Sequence, residues 1–394
     1  MPHLHMTRRQ SLLGLTAAWT LGRTSLALAD APTEKRLVVV LLRGALDGMA
    51  AVVPYGDPDL VRLRPGLTLP APGQPNGLLD LGGFFGLHPA LGGLHGMYAA
   101  GEMAAVHAVA GPYRSRSHFD AQDYMESGAE QRLSSGWLNR AVQALPGRRA
   151  NSALAVGVTV PLLLRGRADV GSYAPSGSPP LSPDLYARIA ALAQEDALLG
   201  PAVVEGLRDR GFNAAALAGM AATGDRNAVV NVAAAAGRLL AAPDGPRVAA
   251  MEGGGWDTHA AQALRLVNPL RQLDAAMVAL KTALGPAWQH TAVLVMTEFG
   301  RTVRVNGTGG TDHGTAGAAF VLGGAVQGGR VAGTWPGLSD AQLFEKRDLA
   351  PTADLRSIAM GLLIDHMGLP QEAMAEVFPG LNGTTAQSGL VRAG

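Results

Sequence analysis

At 394 residues the chain is long enough for one large α/β domain or two modest ones, and 32 Lys and Arg against 31 Asp and Glu leave it near neutrality. No basic block follows the amino terminus, which excludes nucleic acid as a partner class. The complete lack of cysteine removes disulfides, thiolate metal sites and cysteine nucleophiles together, so any metal must use His, Asp, Glu or hydroxyl ligands, as zinc or the harder Mn, Mg and Ca ions do.

Residues 1–29 read as an address rather than structure. Arg8-Arg9 precede a mildly apolar Gly/Ala/Leu segment, and Ala27-Leu28-Ala29 supplies small residues at a cleavage spacing. Paired arginines ahead of weak hydrophobicity resemble a twin-arginine export signal, with an ordinary secretory signal as the alternative. The expectation is a periplasmic or secreted protein that meets the twin-arginine translocase during export. No later stretch holds about 20 apolar residues without charge, so no membrane span is expected after signal removal.

The mature chain, 30–394, is expected to form a single α/β domain. Its first strand is Arg36–Leu42, a Val/Leu run of the kind buried on both faces of a parallel sheet. It ends in RGALDG, which sets Asp47 just past the strand's carboxyl end. Pro54–Gly86 reads as a long covering loop, followed by a helix from His88 to Ala100 and a strand over Met103–Val109. The spacing then predicts a helix over His118–Ser127, capped by Ser117 and closed by Gly128. Ser117 therefore has two readings. It is either a plain cap or a nucleophile where a strand meets a helix amino terminus, whose dipole favours a developing anion. Arg114 and Arg116 beside it suit an anionic ester, because guanidinium forks match phosphate and sulfate.

From about 137 to 245 the chain is Ala/Leu-rich and reads as a mostly helical insertion. Short strands are expected near Ala153–Val160 and Pro161–Leu164, and helices over Asp184–Ala193 and Val229–Ala242. The strand Arg247–Met251 ends in EGGGWDTH, so Asp257 and His259 again follow a strand end. A helix over Ala260–Leu284 should kink or restart at Pro269. Ala292–Met296 is another doubly buried strand, and it stops at Thr297-Glu298-Phe299-Gly300-Arg301. A Gly-rich loop carries Asp312 and His313 into the apolar run Ala318–Leu322. A β-rich piece over Arg330–Gly337 and a helix over Asp354–Met367 complete the chain. Ligands of open α/β sheets bind at the carboxyl edge. Several chemically apt residues at one edge read as a metal or acid–base site where a single one would be a turn residue.

The segments RGALDG, RSHFDAQDYMESG, GGWDTH, TEFGR and TDHGTAG together resemble domain-of-unknown-function family 1501, exported bacterial proteins, over nearly the whole mature length. That family is in turn similar to a divergent branch of the alkaline phosphatase and sulfatase superfamily. The resemblance implies an alkaline-phosphatase-like fold, a largely parallel central sheet with helices on both faces. It also implies a metal-dependent hydrolase of phosphate or sulfate esters. By motif position, Asp47, Ser117, Asp257 with His259, Glu298 and His313 fill the superfamily's slots, Asp312 adds a ligand, and Arg114, Arg116 or Arg301 would hold the ester oxygens. One slot differs: where the superfamily has a strand-end Asp-His, this chain has Glu298-Phe299. Asp257, His259 and His313 are then left to hold one ion, Asp47 and Glu298 offer a harder second site, and His118 is a substitute for the missing imidazole. The alternative class is a non-catalytic exported binding or assembly protein that kept the fold. A serine hydrolase pairing Ser117 with His118 or His313 lacks the Gly-x-Ser-x-Gly pattern and ranks below both.

Overall fold

The computed structural model describes residues 33–147, 152–157, 159–174, 228–381 and 383–392, together with 24–25 and 217. Apart from Thr24–Ser25, the expected export signal lies outside the described residues, as does the helix expected over 184–193.

The strands that build the central sheet are β1 (Arg36–Leu42), β2 (Met103–Ala110), β3 (Ala153–Val156), β4 (Val170–Tyr173), β5 (Val248–Gly253), β6 (Thr291–Thr297), β7 (Gly317–Leu322) and β8 (Arg330–Ala332). They lie in the order β4-β3-β5-β1-β6-β7-β2-β8, with Thr24–Ser25 antiparallel on the outer edge of β4 and Ala353–Asp354 on β2. Neighbours from β4 through to β6 are parallel. β7 runs against both β6 and β2, so β2 and β8 return to the common direction. The sheet is therefore mixed but mostly parallel.

All seven residues of β1 are buried, and alternate residues feed different cores. Leu37, Val39 and Leu41 join one apolar cluster, while Val38, Val40 and Leu42 join another across the sheet. β6 splits in the same way, Ala292, Leu294 and Met296 against Val293 and Val295. A run without polar alternation is what a strand covered on both faces requires, and each Val or Leu so buried contributes about 1.5–3 kcal/mol. The helices needed here are α1 (Gly48–Ala51), α2 (Gly92–Ala99), α3 (His118–Ser127), α4 (Trp137–Ala144), α5 (Ala228–Ala241), α6 (Val267–Leu284) and α7 (Leu355–Gly361). Helices α3, α4 and α7 cover the first face; α2, α5 and α6 cover the second.

Several local expectations are corrected. Pro161–Leu164 is not a strand; Leu162–Leu164 winds into one tight turn behind the proline. The helix expected from Ala260 begins as a separate turn, Gln262–Arg265, and restarts at Val267, which places Pro269 in the first turn of α6 where its missing N–H costs nothing. The helix expected from His88 starts at Gly92, and only Arg330–Ala332 of the 330–337 piece is strand. The stretch 137–245 also supplies β3 and β4 to the main sheet.

Candidate metal centre

Parallel pairing brings strand ends level. Thr297 stands opposite Leu42, and Leu42 opposite Gly253, so the loops leaving β1, β5 and β6 emerge side by side. The loop leaving β2 joins them, and the antiparallel β7 starts at this edge, which delivers the 311–314 segment to the same place. Loop packing is close. Gly44 takes φ +117, and a Cβ there would lie 2.8 Å from the Asp257 amide nitrogen.

At the meeting point three imidazoles surround one carboxylate oxygen. His259 Nε2 lies 3.0 Å from Asp257 Oδ1, His313 Nε2 3.3 Å and His118 Nε2 3.6 Å. His259 Nε2 and His313 Nε2 are 2.9 Å apart. The far nitrogen of each ring is held by an oxygen: His118 Nδ1 by Glu298 Oε1 at 2.7 Å, His259 Nδ1 by Asp312 Oδ1 at 3.1 Å, and His313 Nδ1 by the Arg116 carbonyl at 2.7 Å. Those acceptors draw the ring proton to Nδ1 and leave a lone pair on each Nε2. The buried His118 Nε2 has no hydrogen-bond partner. Three ring nitrogens and a carboxylate oxygen face one another here, a set that either protons shared between the rings or a bound cation reconciles. Donors about 2.1 Å from a tetrahedral ion stand about 3.4 Å apart, and the observed separations bracket that value. The donor set therefore fits a metal ion. Asp257 and His259 side chains keep 47% and 43% exposure, against 24% and 23% for His118 and His313, so the group is open on one side.

Burial pushes the Glu298 carboxyl upward, but hydrogen bonds from His118, Gln122 and the Gly44 amide outweigh it and hold the group at about 2. The same His118–Glu298 bond raises the His118 imidazole. Burial lowers His313, helped by the nearby charges of His118 and Arg301. Burial raises Asp257, yet the hydrogen bond from Arg301 turns its net shift downward. Asp312 is lowered first by its bond from Asn306.

The family model described as "Protein of unknown function (DUF1501)" matches residues 88–378. The chain belongs to that family. No curated protein matches the chain. Among solved structures it is similar to a protein in the alkaline phosphatase superfamily from Vibrio parahaemolyticus, at 11% identity and TM-score 0.33 over 83% of this chain and 72% of that one. The alkaline phosphatase of the Antarctic bacterium TAB5 gives 12% and 0.34 over 73% and 91%. A 2-O GAG sulfatase gives 14% and 0.35 over 91% and 76%. Likeness this distant leaves the chemistry to be read from the chain's own residues.

In this DUF1501 chain the residues singled out by sequence fall into distinct places. Asp257, His259 and His313 face one another, and Asp312 and Glu298 stand one layer behind as ring acceptors. Asp47 is apart from them. Its Oδ1 caps α1 through the Met49 and Ala50 amides, and its Oδ2 is taken by Arg64 at 2.9 Å and Gln262 at 2.5 Å. Both oxygens are satisfied in the core, so Asp47 has nothing left for an ion. Arg301 is buried and bonds the carbonyls of Gly44, Ala45, Trp256 and Thr311 as well as Asp257 Oδ1 at 2.5 Å. It ties three loops together and orients Asp257 rather than Glu298. Arg114 bonds the Gly111 and Tyr113 carbonyls, and Arg116 bonds Asp348 and Glu345. Arg301 and Arg116 are committed to these partners, whereas the exposed Arg114 engages only its Nη1. Ser117 occupies the N-cap position of α3 but makes no capping bond; its side chain is exposed and without a hydrogen bond among the described residues. His118 and Gln122 are the residues that sequence reasoning undervalued. They stand four apart on one helix face and both reach Glu298 Oε1.

Proposed function

We propose that this chain is an exported, metal-dependent hydrolase of phosphate or sulfate esters. The observation that supports it is the convergence of one nitrogen each from His118 and His313 and one Asp257 oxygen on a common point, with His259 on its solvent-open side. Closed four-ligand sites are structural, whereas open ones admit substrate. His118, His313 and Asp257 would hold the ion, with His259 beside its open position, and this donor set suits zinc or a related transition ion better than Mg or Ca. A divalent ion there would supply Lewis-acid polarisation of an ester oxygen. Glu298, Asp312 and the Arg116 carbonyl keep the three rings turned inward. Ser117 is the proposed nucleophile. It lies between Arg116, whose carbonyl holds His313, and His118, and its hydroxyl is uncommitted. First-turn amides of α3, which no side chain caps, would receive the ester's negative oxygens in place of the engaged Arg116 and Arg301.

Export rests on Arg8-Arg9 and the segment after them, with the twin-arginine translocase as partner and the periplasm or exterior as destination. No helix among the described residues is long and apolar enough to cross a membrane. The engagement of Arg116 and Arg301 favours one second reading, a non-catalytic exported binding or assembly protein. Elemental analysis followed by aryl phosphate and aryl sulfate assays, with and without chelator, separates them. The hydrolase reading expects one bound transition ion and chelator-sensitive turnover. Bound ion without turnover supports the second reading, and protein that cannot be loaded refutes both uses of the centre.

A further inference from the structure

We propose that Gln262 is a positioning residue for this centre, and that its buried carboxamide locks the loops 257–259 and 311–313 in register. The inference rests on the metal reading above. Gln262 is fully buried in the short turn that follows Ala261. Its Oε1 accepts from Thr258 Oγ1 at 2.9 Å and from Thr311 Oγ1 at 2.6 Å, and its Nε2 donates to Asp47 Oδ2 at 2.5 Å. Thr258 sits between Asp257 and His259, while Thr311 directly precedes Asp312 and His313. Both threonines are buried. One amide thus touches the two segments that carry two of the three proposed ligands, Asp257 and His313, and also His259.

The polarity of the network has only one solution. Asp47 is an acceptor only, so it takes the Gln262 amide hydrogen, and both hydroxyls then donate to the oxygen, filling its two lone pairs. Asp47 cannot swing to relieve an error, because the α1 amides and Arg64 hold it, and Arg64 also donates to the Thr302 and Val303 carbonyls. Backbone contacts run along the same seam. Gln262 N donates to Gly309 O, Thr311 N to Thr258 O, and a Cβ on Gly310 would lie 2.3 Å from the His259 carbonyl carbon. Removing the amide oxygen would strand two buried hydroxyl donors, which must turn to other acceptors and carry their neighbours with them.

The test uses Gln262→Met, which keeps volume but not the carboxamide, and the double variant Thr258→Val with Thr311→Val. Zinc affinity is measured by chelator competition, the visible spectrum is recorded on cobalt(II)-loaded protein, and melting is followed on metal-stripped protein. Folded variants should bind zinc about 10–100-fold more weakly, the range for loss of a supporting contact around metal ligands, with a changed cobalt spectrum. The rescue pair Thr258→Ser with Thr311→Ser keeps both hydroxyls and should match wild type. Wild-type affinity and spectrum in Gln262→Met, or in the valine pair should Gln262→Met not fold, overturn the assignment. So does equal weakening in the serine pair. Failure of the wild-type protein to bind zinc or cobalt refutes the metal reading itself, a result distinct from loss confined to the variants.

Discussion

The substitution Glu298→Gln removes a charge while keeping the side chain's size. In the folded protein the carboxyl sits at about 2 instead of its ordinary 4.5, because His118, Gln122 and the Gly44 amide all stabilise the anion against its burial. A depressed carboxyl contributes stability that is fully present above about 4.5 and is lost as pH falls through about 2. A difference of roughly 2.5 units at about 1.36 kcal/mol each comes to about 3 kcal/mol at neutral pH. The raised His118 imidazole is the other end of the same pair and adds nothing further to that sum. The carboxamide oxygen of the variant could still accept from His118, so the ring keeps its orientation but loses the anion that makes Nε2 a better donor. Two readouts follow. Urea denaturation of metal-stripped protein at pH 7 should show a loss of about 3 kcal/mol, and zinc affinity should fall about 10–100-fold. A variant within about 0.5 kcal/mol of wild type, the ordinary range of surface substitutions, with unaltered zinc affinity would refute the placement of Glu298 behind His118.

Ser117→Ala should abolish ester hydrolysis yet shift stability by less than about 0.5 kcal/mol, below the usual cost of a lost cap, because the hydroxyl makes no capping bond; turnover on an aryl ester and a urea midpoint check both halves. Wild-type turnover in that variant would end the nucleophile assignment. Burial lowers His107 and His366, each to about 4. An imidazole depressed in the folded state contributes stability that is present above about 6.5 and lost as pH falls through about 4. The two together should therefore cost about 4 kcal/mol between pH 7 and pH 5, read from denaturation curves at the two values; a flat profile would show that these rings charge freely in the fold.

The central strands were legible because covering both faces of a sheet demands an unbroken apolar run, and Arg36–Leu42 and Thr291–Thr297 have one. The edge was legible too, since Asp257, His259, Glu298 and His313 each follow a strand end or precede the reversed β7. Spacing along the chain does not, however, say which carboxylate meets an ion and which stands behind a ring. Asp47 and Glu298 look alike in sequence, each a few residues past a doubly buried strand. What separates them is distant chain. Arg64 and Gln262 reach Asp47 from beneath, whereas His118 and Gln122 reach Glu298 from the helix above. The arginines misled for the same reason. Arg301 lies near the edge, but backbone carbonyls of loops that fold against it take its donors first. A buried carbonyl must be paired, so a guanidinium beside irregular loops is drawn into structure before it is available to a ligand. The one local signal that remained was the four-residue spacing of His118 and Gln122, two side chains on one face of a helix whose first turn points at the strand ends. That face meets the carboxylate opposite, so Glu298 stands behind the imidazole of His118, the residue that the sequence already offered in place of the missing one.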